Sequence, residues 1–517
     1  MEKAATDIYS FRQLRENGFT YVDKTAMLLP LCNMSIGKQF FLARPRRFGK
    51  SLLLSTLHCL FEGRRELFKG LAIEPEWDWA KAWPVLHLDM GDCQADTVER
   101  LWGKIHDCLV SEAERLGVAL RTNTSVPGLF RFLVQDLAAT SQDGRIVLLV
   151  DEYDKPLLGH LSQPDVTQFR DALKEFYSVV KTQEAKQRFT FLTGVSKFSK
   201  VSVFSDLNNL KDRTMTASEA TLLGYTHKEL KTYFPETLEK IARLNGTDAE
   251  GAFRKIIRWY DGYRFEESAE KVINPVSFGL CAEEGRFRNY WSTTAMTTFL
   301  TDALRRQPLD FSTIDIDQSA LEAYEPENPR LVTLLYQTGY LTIKGFREIG
   351  EKRKYLLSFP NYEVTDSFLS SLAPVYAGLG ATESTNYQFA AQEALLAGDV
   401  GRFVKILRNF FANIPYSLTD RQNEQMWQTV VYVILKAIGA AVHAEVLTNE
   451  GRIDMTCETP AGIWLIEFKL DRPAEEALAQ IGERHYADKF DFAGKKILKL
   501  GISFSSEKRT IVDWLQG

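Results

Sequence analysis

The sequence predicts a multidomain α/β protein: a doubly wound parallel sheet in the N-terminal half, a helical middle, and a small α/β domain at the C-terminal end. Three observations carry that expectation. The apolar run Phe40-Phe41-Leu42 feeds a short basic loop, and Gly49-Lys50-Ser51 then opens a stretch with helical spacing. A continuous apolar run, Ile146 to Val150, ends on Asp151 and Glu152, as suits a parallel strand buried on both faces. Near the end of the chain, segments with strand periodicity carry Asp454, then Glu467 and Lys469.

At 517 residues there is room for several domains, and 45% hydrophobic with 25% charged residues fits a globular chain. A net charge of −5 leaves no global positive field, so nucleic-acid binding would have to rest on a local groove. The six cysteines include no CxxC pair, and the seven histidines form no HExxH cluster. This argues against structural zinc and for a reducing cytoplasm. Met1 to Phe11 lacks the apolar centre of a secretory leader. The most apolar long stretch, Val430 to Val446, is broken by Lys436 and His443. It reads as a buried helix running into a strand, not as a membrane span.

Taken in order, residues 1–38 form a lead-in containing Tyr21-Val22-Asp23-Lys24-Thr25. The stretch from Phe40 to Leu52 then has the strand–loop–helix order of a phosphate-binding loop. Backbone N–H groups, the helix dipole and the Lys50 ammonium converge on one anion there, which makes Arg46, Arg47, Phe48, Gly49, Lys50, Ser51 and Leu52 candidate nucleotide contacts. The Ser51 hydroxyl can ligate Mg²⁺. The usual loop begins with glycine, whereas Arg44 occupies that position. The lead-in either touches the nucleotide base or packs only on the core.

Downstream, Leu52–Phe61 reads as a helix, Trp83–Asp89 as a strand, and Leu101–Leu116 and Leu129–Ala139 as helices. The acidic pair after Val150 sits at a strand's carboxyl end, where open α/β sheets bind ligands. There Asp151 would hold Mg²⁺ through water and Glu152 would polarise the attacking water. Arg188 to Ser196 reads as the next strand, with Thr193 or Ser196 at its tip to sense the γ-phosphate.

These pieces, with Arg44-Pro45-Arg46-Arg47-Phe48-Gly49-Lys50-Ser51, Val150 to Pro156, Leu192 to Ser199 and Phe204 to Leu210, resemble the bacterial AAA-ATPase-like family. In that family Arg-Pro-Arg-Arg-Phe-Gly-Lys is the usual form of the loop. The resemblance implies a P-loop NTPase domain over residues 1–215 that binds ATP with Mg²⁺. A homo-oligomer could supply an arginine finger in trans, with Arg46, Arg47 and Arg213 as candidates.

From Ala217 to Gln307 the pattern is helical. Trp259 to Phe265, Asn274 to Ser277 and Asn289 to Trp291 are similar to the family's segment after the ATPase core, so residues 216–327 are read as a helical lid. In residues 328–380, a helix over Leu331–Gln337, a break at Gly339, a strand at Tyr340–Ile343 and a partner at Lys354–Asn361 suggest a winged-helix-like module. It lacks a basic recognition helix, so no DNA contact is assigned to it. Residues 381–420 form a helical connector, amphipathic from Tyr387 through Phe411.

Residues 421–517 carry the second chemical centre. Glu424 begins a helix, Ala444–Leu447 reads as a strand, and Arg452–Cys457 and Ile463–Leu470 follow as two more. Strand periodicity puts Glu467 and Lys469 on one face, opposite Trp464, Ile466, Phe468 and Leu470. Carboxylates brought together near a lysine are costly to bury unless a divalent metal holds them. The arrangement resembles the PD-(D/E)XK nuclease superfamily, with Ile453 where the name has proline and with Gln480 and Tyr486 following the third strand. By that resemblance Asp454 and Glu467 would ligate Mg²⁺ or Mn²⁺, and Glu424 would assist. Lys469 would orient water and stabilise charge on the phosphate, while Gln480 and Tyr486 would shape the site and contact the substrate backbone. The combined expectation is an ATP-controlled, metal-dependent nuclease whose partner is nucleic acid, with DNA the favoured class. The alternative is a nucleotide-dependent switch or protein-remodelling ATPase whose nuclease-like domain binds without cutting.

Overall fold

In a computed structural model, which describes residues 2, 4–121, 123–198, 209–291, 314–368, 381–412, 428, 431–432, 434–435, 441–448 and 451–517, the strand entering the basic loop is buried along its whole length. This is β1 (Gln39–Ala43). The same holds for β3 (Ile146–Asp151) and β4 (Gln187–Gly194). Strands with no polar face need cover on both sides and so occupy the middle of a helix-clad sheet. The edge strand β2 (Val85–Asp89) follows Pro84, which has no N–H to give a ladder but whose carbonyl accepts from Val147 at 2.9 Å. With the short β5 (Lys211–Asp212), the order is β2-β3-β4-β1-β5, every pairing parallel.

Chain direction reverses around β1. From β1 the chain crosses to β2 at the far edge, and from β4 it passes over β1 to reach β5. Such a switch point leaves a crevice beyond the carboxyl ends of the strands. Helices Lys50–Phe61, Val98–Leu116 and Val126–Thr140 pack on the sheet, close to the spans expected from periodicity. Beyond it come helices His227–Tyr233, Pro235–Leu244, Ala249–Tyr260 and Pro275–Glu284. Thr226 and Glu229 close a capping box on the first of them, and Lys24 of the lead-in donates to Glu229 at 2.6 Å and to the Thr221 carbonyl at 2.7 Å. Phe204 to Asn208 and residues 292–307, both assigned roles above, lie outside the described residues.

Next comes a three-stranded sheet of β6 (Ile314–Asp317), β7 (Thr342–Ile349) and β8 (Lys352–Ser358), in the order β6-β8-β7. Helices Gln318–Glu322 and Leu331–Gln337 lie between β6 and β7 in sequence. The chain divides into two compact units: Met1–Arg288 with Ile316–Tyr355, and Asn289–Asp315 with Leu356–Gly517.

The amphipathic stretch from Tyr387 through Phe411 is two helices, Ala381–Ala397 and Val400–Ala412. Gly398 separates them at φ 69°, its N–H bonding the Leu395 carbonyl, and Asp399 caps the second helix through the Arg402 N–H at 2.9 Å. A glycine in the left-handed region is a common helix stop. The second unit's sheet contains β9 (Ala441–Leu447), β10 (Arg452–Thr459), β11 (Gly462–Leu470), β12 (Ile497–Ser505) and β13 (Thr510–Gln516), in the order β13-β12-β11-β10-β9. Only β11 and β12 run parallel, and helix Ala474–Glu483 makes their crossover.

On one face Phe403 meets Trp464 with ring centres 5.6 Å apart, and Phe411 meets Phe504 at 5.3 Å. On the other, Ile453, Leu465, Ile481 and Tyr486 form a core. The crossover helix reaches the sheet because Gly501 has no side chain. A Cβ there would stand 2.6 Å from the Ala474 carbonyl oxygen and 2.9 Å from the Leu478 nitrogen. Gly501→Ala should therefore push back the helix carrying Gln480, at a cost of about 1–3 kcal/mol by overpacking. Denaturant unfolding followed by the Trp464 and Trp514 fluorescence would measure it.

Candidate functional sites

At the first site, Arg47 (φ 66°) and Gly49 (φ 91°) take the left-handed conformation that turns β1 into helix Lys50–Phe61. The first N–H groups of a helix have no intrahelical partner and suit an anion. Lys50 is buried, and its ammonium donates to the carbonyls of Arg44 and Pro45 at 3.0 Å each. Burial lowers its pKa, while Asp151, Asp154 and Glu152 oppose that shift. The Ser51 hydroxyl bonds the Asp151 carboxylate; burial still pushes that carboxyl up to about 6. Arg46 is exposed, and Arg47, Ser51 and Leu52 are half-buried.

Glu152 has φ 46° and lies 3.5 Å from Lys155. Asp89, at the end of β2, stands in register with Asp151. A Cβ on Gly91 would be 3.0 Å from Asp89 Oδ1 and 3.4 Å from Glu152 Oε2, so those two carboxylates gather around that glycine. Ser196 falls just past the end of β4 and is buried; its N–H donates to Asp154 at 2.6 Å and its carbonyl accepts from the Tyr153 hydroxyl at 2.9 Å. The Thr193 hydroxyl donates to the Leu42 carbonyl at 2.7 Å. Arg213 forms an ion pair with Glu219 at 2.7 Å. Beside the loop opens an apolar pocket walled by Tyr21, Val22, Phe48, Leu52, Tyr225 and Pro275.

Arg44 is a structural post. Its guanidinium donates to the carbonyls of Ala43 (2.9 Å), Thr214 (2.7 Å) and Glu219 (3.0 Å) and lies 4.2 Å above the Phe265 ring. Complete burial lowers its pKa to about 10. Arg44→Met would leave the Thr214 and Glu219 carbonyls without this donor, a loss of about 3 kcal/mol. Scanning calorimetry should show a lower first transition.

At the second site, the ladder between β10 and β11 ends at Met455–Ile466. One position further, side chains replace it: the Asp454 N–H donates to Glu467 Oε1 at 3.1 Å, and the Phe468 N–H donates to Asp454 Oδ2 at 2.9 Å. Glu467 is fully buried. From the crossover helix, Gln480 Nε2 donates to Glu467 Oε2 at 2.8 Å, and Lys469 Nζ donates to Gln480 Oε1 at 2.8 Å. Burial first, then the Asp454 charge, holds the Glu467 carboxyl well above the usual range; Lys469 only partly offsets this. The Tyr486 hydroxyl is committed to the Arg452 carbonyl at 2.8 Å. Asp454, Glu467, Lys469 and Gln480 thus form one connected group. Glu424 lies outside the described residues.

Residues 6–204 match the family model described as "Predicted AAA-ATPase", and residues 422–514 match the PD-(D/E)XK nuclease superfamily model. The chain is also 36% identical to the "Uncharacterized protein in vnfD 5'region" of Azotobacter chroococcum mcd 1, over 99% of this chain and 98% of that one. The chain belongs to the AAA-ATPase-like family. Its C-terminal domain is of the PD-(D/E)XK nuclease superfamily.

Two features of this AAA-ATPase-like protein escaped sequence reasoning. The anchoring role of Arg44 depends on acceptors about 170 positions away, and no local pattern announces them. The apolar pocket joins the lead-in to residues 222–225 and 275; Tyr21 was a signal, but its partner Tyr225 sits in a stretch read only as helical. Among the described residues, no group of three or more His, Cys, Asp and Glu side chains could hold a metal ion. Asp454 and Glu467 nevertheless suit a hard divalent cation with oxygen ligands, because their surplus negative charge is what raises the Glu467 pKa. No helix among the described residues is long and apolar enough to cross a membrane.

Proposed function

We propose that this protein is an ATP-binding, ATP-controlled, metal-dependent nuclease that cleaves phosphodiester bonds of DNA. The observation that carries the reading is the connected group Asp454–Glu467–Gln480–Lys469 at the splayed ends of β10 and β11. A Mg²⁺ or Mn²⁺ ion held by Asp454 and Glu467 would supply Lewis-acid stabilisation of the phosphate. Lys469 is aimed by Gln480, so its ammonium can orient the attacking water and balance charge developing on the phosphate oxygens. Gln480 fixes the acid and the lysine with one amide. Tyr486 positions the start of β10 through the Arg452 carbonyl, and Glu424 remains the candidate assisting carboxylate.

At the ATP site, the Lys50 ammonium would exchange the Arg44 and Pro45 carbonyls for nucleotide phosphates. Arg46, Arg47, Phe48, Gly49 and Leu52 would frame them, and the pocket of Tyr21 and Tyr225 would seat the base. Ser51 and Asp151 suit Mg²⁺, Glu152 the attacking water, and Ser196 the end of the triphosphate. We read residues 1–215 as the ATPase domain, 216–327 as lid, 328–380 as a winged-helix-like module in view of the order β6-β8-β7, 381–420 as connector and 421–517 as the nuclease domain. The six cysteines are free thiols, in keeping with a reducing cytoplasm.

The test is incubation of the full chain with plasmid and linear DNA in Mg²⁺ or Mn²⁺, with and without ATP, beside Asp454→Asn and Lys50→Ala. Cleavage abolished by the first substitution and made insensitive to ATP by the second is the expected result. No cleavage under any condition, with ATP still bound, would replace this reading with the non-cutting switch.

A further inference from the structure

The hairpin β7–β8 stands out in a chain whose net charge is −5. Its strands turn over Gly350-Glu351, with Gly350 at φ 62°, and Glu348 pairs with Arg353 at 3.0 Å. Side chains alternate along strands, so residues directly opposite share a face. One face therefore carries Glu348, Arg353, Phe346 and Tyr355. That face is anchored: the Arg353 guanidinium lies 4.6 Å above the Phe346 ring and pairs with Glu267, whose carboxylate also accepts from the Tyr355 hydroxyl at 3.1 Å. The opposite face carries Gly345, Arg347, Ile349, Lys352 and Lys354. Neither strand places a carboxylate on it.

Three further observations describe this second face. Arg347, Ile349 and Lys352 are exposed, Ile349 to 55%. At Gly345 nothing lies within 4 Å of where a Cβ would be, so an incoming chain can approach the backbone closely. Three cations within two short strands, flanking an exposed apolar residue, match a polyanion with a regular charge repeat better than a single small anion.

We propose that this hairpin face binds the phosphate backbone of duplex DNA, with Arg347, Lys352 and Lys354 each meeting a phosphate. The inference rests on the nucleic-acid reading above and names a binding surface for it outside the carboxylate site. It predicts backbone contact without base reading, because lysine and arginine on a strand face reach phosphates without presenting a fork to a groove edge.

The test uses the full chain and a short fluorescein-labelled duplex, with Ca²⁺ replacing Mg²⁺ to suppress cutting, and follows anisotropy over a salt series. Arg347→Gln/Lys352→Gln/Lys354→Gln should weaken binding roughly tenfold or more and reduce the slope of log K against log salt by about 2.7, at about 0.9 per phosphate contact. The charge-preserving Arg347→Lys/Lys352→Arg/Lys354→Arg should keep the wild-type slope, and fluorescent-ATP binding should be equal in all three proteins. An unchanged slope in the neutral variant overturns the inference, and if Mg²⁺-dependent cleavage persists the nuclease reading stands. Slope loss in a chain that never cuts DNA supports the surface and removes the nuclease. Equal binding of polyglutamate and duplex by the wild type would assign the face to an acidic protein and overturn it.

Discussion

Asp454→Asn should abolish DNA cleavage, lowering the rate by roughly 10³-fold or more, with ATP binding unchanged. Asparagine retains an oxygen to accept the Phe468 N–H, so the turn of β10 towards β11 should survive. What disappears is a negative charge, and the sign of two further effects follows. Glu467 is held above the usual carboxylate range by burial and by Asp454. A carboxyl raised in the folded state stabilises the fold at low pH, and that contribution is lost as pH rises through the folded pKa. The metal-free wild type should therefore lose stability from mildly acidic to alkaline pH, and Asp454→Asn should lose less. Metal binding must also displace the proton that the pair retains. Apparent Mg²⁺ affinity should climb with pH, by up to about tenfold per unit, until the pair is ionised. Isothermal titration of Mg²⁺ into wild type at several pH values would check it; an affinity independent of pH would contradict this account of the pair.

Much of this arrangement was legible before any coordinates. The phosphate loop, the acidic strand end and the Asp…Glu-x-Lys spacing are local patterns, and each lands on the element expected. The face shared by Glu467 and Lys469 follows from a period of two, and Gln480 joins both. Other features depended on distance. The burial of β11 on both faces needs Phe403 and the crossover helix together, and Gly501 matters only because the backbone of Ala474 and Leu478 lies above it. Arg44 shows the same limit from the opposite side. Measured against the usual glycine it reads as a departure within the loop, whereas its side chain is spent on carbonyls at Thr214 and Glu219. Periodicity from Tyr387 through Phe411 also ran smoothly across Gly398, because two amphipathic helices joined by a tight stop can keep their apolar residues in phase.

Lys50→Ala should lower nucleotide affinity about 100-fold, or about 2.7 kcal/mol, and leave basal DNA cleavage in place without its response to ATP. The lysine is already inside the protein, bonded to two carbonyls of its own loop and facing Asp151. Its desolvation has been met on folding, so a phosphate entering the loop gains a charge-assisted bond to an ammonium that needs little further reorganisation. Alanine removes that bond and leaves the Arg44 and Pro45 carbonyls without this donor, which should also loosen the loop. Lys50→Arg separates the two effects: it keeps the charge but is too bulky for the space between those carbonyls, and should restore little affinity. Titration with a fluorescent ATP analogue reads the affinity, and plasmid cleavage with and without ATP reads the coupling. If ATP continued to modulate cleavage in Lys50→Ala at concentrations where the analogue no longer binds, the control of cleavage would have to enter through another nucleotide site.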